Sequence, residues 1–145
     1  TLLRQYFDHP AITTDLITGF PGETEEEFSQ TLAFIQRCGF AAMHIFPYSI
    51  RPGTKAAAMP QLTAAVKEER AARAAQAAAV MHQQYLDGCV GKTYPVLFEQ
   101  EKDGVYTGHA PNYMEVAADG RGLHNQVRDV TITASKGGRL WGEIQ

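Results

Sequence analysis

The sequence has only two cysteines in 145 residues, Cys38 and Cys89, and no CxxC or CxxxCxxC spacing. Two isolated thiols exclude a disulfide scaffold and a cysteine-rich metal ribbon. Both are expected to be free, buried as small apolar groups in a reducing cytosol. Nothing in the sequence supports a Cys38–Cys89 bridge. A basic excess is missing as well: the net charge is −3, with 13 Lys and Arg against 16 Asp and Glu. That balance excludes a chain that holds nucleic acid through its overall field. The last third is no exception. There Lys92, Lys102, Arg121, Arg128, Lys136 and Arg139 face Glu99, Glu101, Asp103, Glu115, Asp119, Asp129 and Glu143. Any phosphate contact must come from a local cluster. No apolar run approaches the roughly 20 residues of a membrane span, and the start lacks the basic and apolar regions of a signal peptide. The opening on Thr1 rather than Met is what a fragment would show.

Apolar residues make up 44%, enough for ordinary cores, and they fall into three patterns. The opening TLLRQYF reads as the end of a helix. Ala11 to Gly19 is short, β-branched and bounded by Pro10 and the turn Phe20-Pro21-Gly22, as a buried strand is. Thr24 with Glu27 three residues on makes a capping box. Glu25, Glu26 and Glu27 match the positive end of the helix dipole, a solvated helix start rather than a metal site. Phe28, Leu32 and Ile35 lie on one apolar face, and Gly39 fits the C-cap. Phe40 to Phe46 is a second strand. Strand, helix, strand with short links predicts a βαβ unit with parallel strands. His44, between apolar neighbours, reads as a satisfied interior histidine rather than a ligand.

From about Leu62 to Asp87 the chain is rich in Ala, Lys, Glu, Arg and Gln and has neither Gly nor Pro. Such a composition favours helix, about 26 residues and about 39 Å long. Its apolar positions (Leu62, Val66, Val80, Met81 and Leu86) are sparse, which predicts a connector packed on one side. No heptad of large residues supports a coiled coil. Val90 to Gln145 is a run of about five short strands separated by Gly and Pro turns. Lys102-Asp103-Gly104 is a hairpin turn among them. So small a sheet is expected to close into a barrel, because a flat one would leave both edges open. Trp141 reads as part of that core.

Three stretches in this order, DLITGFPGE from Asp15, HIFPYSIRPGTKAA from His44, and GHAPNYMEV from Gly108 within a terminal barrel, resemble the C-terminal part of the radical-SAM methylthiotransferases. The resemblance covers nearly the whole chain. The FPYSxRPGT wording and the Asn112-Tyr113 pair look closest to the MtaB type, which modifies a threonylcarbamoyl-adenosine beside the anticodon. The resemblance implies three parts: an α/β fragment of a radical-SAM (β/α) barrel at 1–60, a helical connector at 61–88 and a small OB-like β-barrel of the TRAM type at 89–145. It also implies that the intact enzyme is a cytoplasmic transferase using S-adenosylmethionine and two 4Fe-4S clusters. This chain lacks both three-cysteine cluster motifs, so no cofactor, catalytic residue or metal ligand is expected in the fragment, and it is expected to be inactive alone.

The implied partner is a tRNA anticodon stem-loop, with no membrane. Thr18, Gly19, Gly22, Tyr48, Ser49 and Arg51 would form part of the S-adenosylmethionine wall at strand ends. Read from the residues alone, the glycines also serve a plain strand-to-helix turn. The alternative for Arg51 is a loop staple to Asp15 or Glu23. The expected RNA face is Lys92, Tyr106, His109, Asn112, Tyr113, Arg121 and Arg128, with rings stacking on bases and cations tracking phosphates. The tyrosines also fit a barrel core or rim. A stand-alone RNA-binding adaptor and a module that self-associates through exposed barrel strands remain as alternatives.

Overall fold

The structure is a computed structural model, and it describes residues 2–145. The chain divides into two compact units. One is Ile12–His82; the other joins residues 2–11 to Gln83–Gln145. The division falls within the long helix, between His82 and Gln83.

In the first unit, β1 (Thr13–Thr18) pairs in parallel with β2 (Ala42–Pro47), from Thr13 opposite Ala42 to Thr18 opposite Pro47. Between them runs a helix, α2 (Glu25–Cys38), after a single four-residue turn, α1 (Leu3–Tyr6), in the other unit. The expected capping box is present. Thr24 Oγ1 accepts the Glu27 N–H, and Glu27 Oε2 accepts the Thr24 N–H at 2.8 Å. That pairing with Thr24 holds the Glu27 carboxyl below the usual carboxylate range. Gly39 takes the left-handed C-cap at φ 61°. Phe28 and Ile35 are buried as their spacing requires.

The Ala-rich stretch forms α3 (Ala64–Asp87), opened by Thr63, whose Oγ1 accepts the Val66 N–H. Its buried positions only partly match the expected apolar ones: Met81 and Leu86 are buried, at 5% and 0% exposure. Val80 is 59% exposed, whereas Lys67 and Arg70 are buried with Ala74 and Met81. Spacings of three, four and seven place these four on one face.

In the second unit, β3 (Thr93–Lys102), β4 (Val105–His109), β5 (Glu115–Asp119), β6 (Gln126–Lys136) and β7 (Arg139–Ile144) close a barrel in the order β3-β4-β5-β7-β6. All neighbours are antiparallel except β5 and β7. The core is Val96, Phe98, Val116, Val130, Ile132 and Leu140, all at most 1% exposed. The strand count and closure are as expected. Asp103 and Gly104 adopt the positive φ of the predicted hairpin turn.

Two glycines are dictated by closure. A Cβ on Gly108 would stand 2.0 Å from the Leu97 carbonyl oxygen, and one on Gly142 would stand 2.6 Å from that of Thr131. A register shift in β3 between Phe98 and Gln100 bends the strand beside Gly108.

Candidate functional site: strand ends and a barrel cleft

Thr18, Gly19, Tyr48 and Ser49 are brought together, because parallel pairing sets Thr18 opposite Pro47 and the Tyr48 N–H donates to the Thr18 carbonyl at 2.8 Å. Helix α3 occupies much of the space around them. A Cβ on Gly19 would meet Lys67 Cγ at 2.6 Å, so Gly19, at φ +68°, is needed to admit the helix. The Gly19 N–H donates to Glu23 Oε2 at 2.8 Å, and Arg70 binds the same oxygen at 2.6 Å and the Glu23 carbonyl at 2.9 Å. Arg70 and Arg73 both lie over the Phe28 ring, and Arg73 reaches Glu25 at 2.7 Å. The staple at this strand end is therefore Glu23–Arg70. Arg51, for which a staple to Asp15 or Glu23 was the alternative reading, is exposed on its loop.

For S-adenosylmethionine the fit is partial. Thr18 is fully buried, and its hydroxyl and that of Tyr48 are buried without a hydrogen-bond partner. Tyr48 lies edge-on to Phe20 with Lys67 Nζ over its ring. Gly22, at φ +85°, has open space where a Cβ would be, and Ser49 and Arg51 are exposed. These three are open to solvent, whereas Gly19 is filled from within.

The opposite face of the β1–β2 sheet is open. Asp15 and Ile17 lie beside His44 and Phe46 in register, all exposed, with the His44 and Phe46 rings 6.5 Å apart. His44 was expected inside; here it faces outward with Asp15 as its cross-strand neighbour.

The barrel unit sorts the expected RNA face into separate places. Tyr106 is 9% exposed, edge-on to Phe98, and its hydroxyl accepts the Gly122 N–H at 3.2 Å. It is a core residue, and the expectation that it stacks on bases is corrected. Tyr106 alternates inward with Gly108 along β4, and the strand period decided its fate. His109 Nδ1 sits 2.7 Å from Glu99, and Arg128 bonds Gln126 and its own strand. Arg121 is exposed on the loop before Gly122.

Asn112 and Tyr113 do converge, around a cleft that Phe7, Asp8, His9 and Tyr94 also line, and Lys92 is joined to it through Asp8. Lys92 Nζ pairs with Asp8 at 2.7 Å, which lowers the Asp8 carboxyl below its ordinary range. Asn112 is structural as well as peripheral. Its amide donates to Tyr85 Oη at 3.2 Å, and its Oδ1 accepts the Met114 N–H. Phe7 was missed because TLLRQYF read as a helix end, and His9 because it lay between that stretch and Pro10 with no role assigned; the aromatic rings were the available signal. Trp141, expected in the core, is half-buried with Lys136 Nζ 5.8 Å from its ring.

The two cysteines differ in environment. Cys89 is fully buried, and burial pushes its thiol up; Cys38 is half-buried. Native protein is expected to lose Cys38 to a maleimide well before Cys89, since only an accessible thiolate attacks. Mass spectrometry of a labelling time course checks the order, and equal rates would contradict it. Among the described residues no group of three or more His, Cys, Asp or Glu could hold a metal ion. No described helix is long and apolar enough to cross a membrane.

No family model matches the chain. Individual relatives do. It is 36% identical over 98% of its length to the tRNA-2-methylthio-N(6)-dimethylallyladenosine synthase of Campylobacter jejuni strain RM1221, covering 34% of that protein. It is 38% identical over 76% of its length to the threonylcarbamoyladenosine tRNA methylthiotransferase MtaB of Bacillus subtilis, covering 26% of it. It is 35% identical over 98% of its length to the ribosomal protein uS12 methylthiotransferase RimO of a Synechococcus strain, covering 32% of it.

The likeness runs through both units, the βαβ unit and the closed five-stranded barrel. The chain belongs to the family of the MiaB, MtaB and RimO enzymes, and it spans about a third of the length of the relatives it matches.

Proposed function

We propose that the chain serves a radical-SAM methylthiotransferase of the cytoplasm that acts on a modified adenosine beside the tRNA anticodon. Within such an enzyme its 145 residues hold tRNA and supply part of the S-adenosylmethionine wall. The observation that carries this reading is the likeness to tRNA-modifying relatives along 98% of the chain, through both units. The open β1–β2 face, with Ile17 and Phe46 each more than half exposed, supports a place in a larger (β/α) barrel whose other strands belong to the remaining length of the enzyme. Gly22, Ser49 and Arg51, at the C-terminal ends of the strands, are the residues that would touch the cofactor. Arg51 suits a carboxylate, which a guanidinium holds in two parallel hydrogen bonds. S-adenosylmethionine, when bound in such an enzyme, supplies the methyl group and the radical chemistry. The chain's own residues position and enclose. Alone, the chain is expected to transfer nothing.

The small barrel, read as a TRAM domain, is the RNA-holding part, through Lys92, Tyr113, Arg121 and Arg128 rather than through net charge. Fluorescence anisotropy with an anticodon stem-loop RNA tests this on the whole chain. Saturable binding is expected, with log K falling against log salt at a slope of about −2 for three phosphate contacts. Absence of saturable, salt-sensitive binding would remove the proposal.

A further inference from the structure

Tyr113 combines two costs that a folded chain ordinarily avoids. Its side chain is 86% exposed, the most exposed large apolar ring among the described residues, and its backbone sits at φ +62°. A bulky residue in the left-handed region is a true outlier, where glycine or asparagine would sit without strain. The turn leaves Tyr113 no alternative. Its N–H donates to the Ala110 carbonyl at 2.9 Å, the Ala110 N–H donates to the Met114 carbonyl, and Asn112 Oδ1 accepts the Met114 N–H. Asn112 is itself anchored to Tyr85. The ring has no packing role that would explain a tyrosine here.

A second residue at positive φ lines the same cleft. His9 has φ +45°, and its ring lies parallel to Tyr85 at 4.4 Å with 5° between planes. The Tyr85 hydroxyl donates to the His9 carbonyl at 3.0 Å, and His9 Nε2 lies 3.2 Å from the Tyr85 carbonyl. His9, Asp103 and Asn125 are of the types that tolerate positive φ, which leaves Tyr113 as the outlier. Over-determined strain of this kind gathers at ligand clamps.

The geometry points to the cleft between residues 7–11 and the Pro111–Tyr113 turn as the seat of one unpaired RNA base, stacked on the Tyr113 ring. This seat rests on the proposed RNA binding of the barrel and deepens it. The walls fit a base better than a protein segment. Phe7 and Tyr113 offer flat apolar faces, and Asp8, with Lys92 paired to it, brings charge to the edge beside His9 and Asn112, which are held on Tyr85. A protein-docking patch would be a broader continuous apolar area. A base needs one flat face, polar groups at its edge and a nearby charge for its phosphate.

Tyr113→Gly is the decisive variant, because it removes the ring while relieving the backbone. Its melting temperature should equal or exceed that of the parent chain. Its affinity for a hairpin RNA with a single-stranded loop should fall about tenfold or more. Tyr113→Phe should bind like the parent, since stacking uses the ring. Tyrosine ring signals that vanish in Tyr113→Gly should shift when the same RNA is titrated into the parent chain. If the parent binds the RNA and Tyr113→Gly binds equally well, the base seat is wrong while RNA binding stands; the ring then serves a protein surface. If the parent binds no RNA, both readings fall.

Discussion

Replacing Arg70 with methionine is expected to destabilise the Ile12–His82 unit by about 3–5 kcal/mol, the cost of removing one partner from a buried ion pair. Arg70 and Glu23 side chains are 6% and 14% exposed, and the pair closes at 2.6 Å. Methionine keeps the stem that packs near Phe28 but leaves the Glu23 carboxylate with the Gly19 N–H and little water. The same substitution also removes the second bond, to the Glu23 carbonyl. Adding Glu23→Gln should recover part of the loss, since a neutral amide tolerates burial better than a lone charge. A double-mutant cycle read by denaturant unfolding gives the coupling. A loss below about 1 kcal/mol would show a pair that contributes no more than a surface bridge does.

Gly108→Ala should be at least as damaging to the barrel. The new methyl group would lie 2.0 Å from the Leu97 carbonyl oxygen and 2.8 Å from Phe98 Cα, both backbone atoms of the neighbouring strand. No side-chain rotation relieves such a clash, so β3 and β4 must part. The expected cost is about 3 kcal/mol or more, the upper end for overpacking. That corresponds to a fall of about 12 °C or more in the melting temperature of a unit this size. Amide exchange should locate the loss in 93–109. A melting temperature within a few degrees of the parent's would mean that the strands separate more easily than their register suggests.

Local signals carried the sequence reading furthest. The capping box at Thr24 and Glu27, the Gly39 cap and the Asp103-Gly104 turn each rest on neighbours within four residues, and each is where it was expected. The five strands of the barrel were legible from their turns. Their order was not, because the parallel pairing of β5 with β7 joins strands that are not consecutive.

The buried Lys67 and Arg70 were illegible for a related reason. Their composition reads as a solvated face, and Arg70 finds its carboxylate 47 residues upstream. At the site, Tyr106 and Tyr113 looked equivalent. Alternation along β4 turned one inward, and a left-handed turn thrust the other out. Strand period is visible in a sequence, but the handedness of a three-residue turn at Pro111–Tyr113 is not.

Closure of the barrel has a consequence for inheritance. A ring whose main-chain donors and acceptors are spent on its own members asks nothing of whatever chain carries it. Such a module can be grafted from one enzyme lineage to another and diversify at its connecting loops while its wall stays fixed. The two-stranded sheet has no such freedom, because its outer edges keep main-chain donors and acceptors that its own two strands do not use.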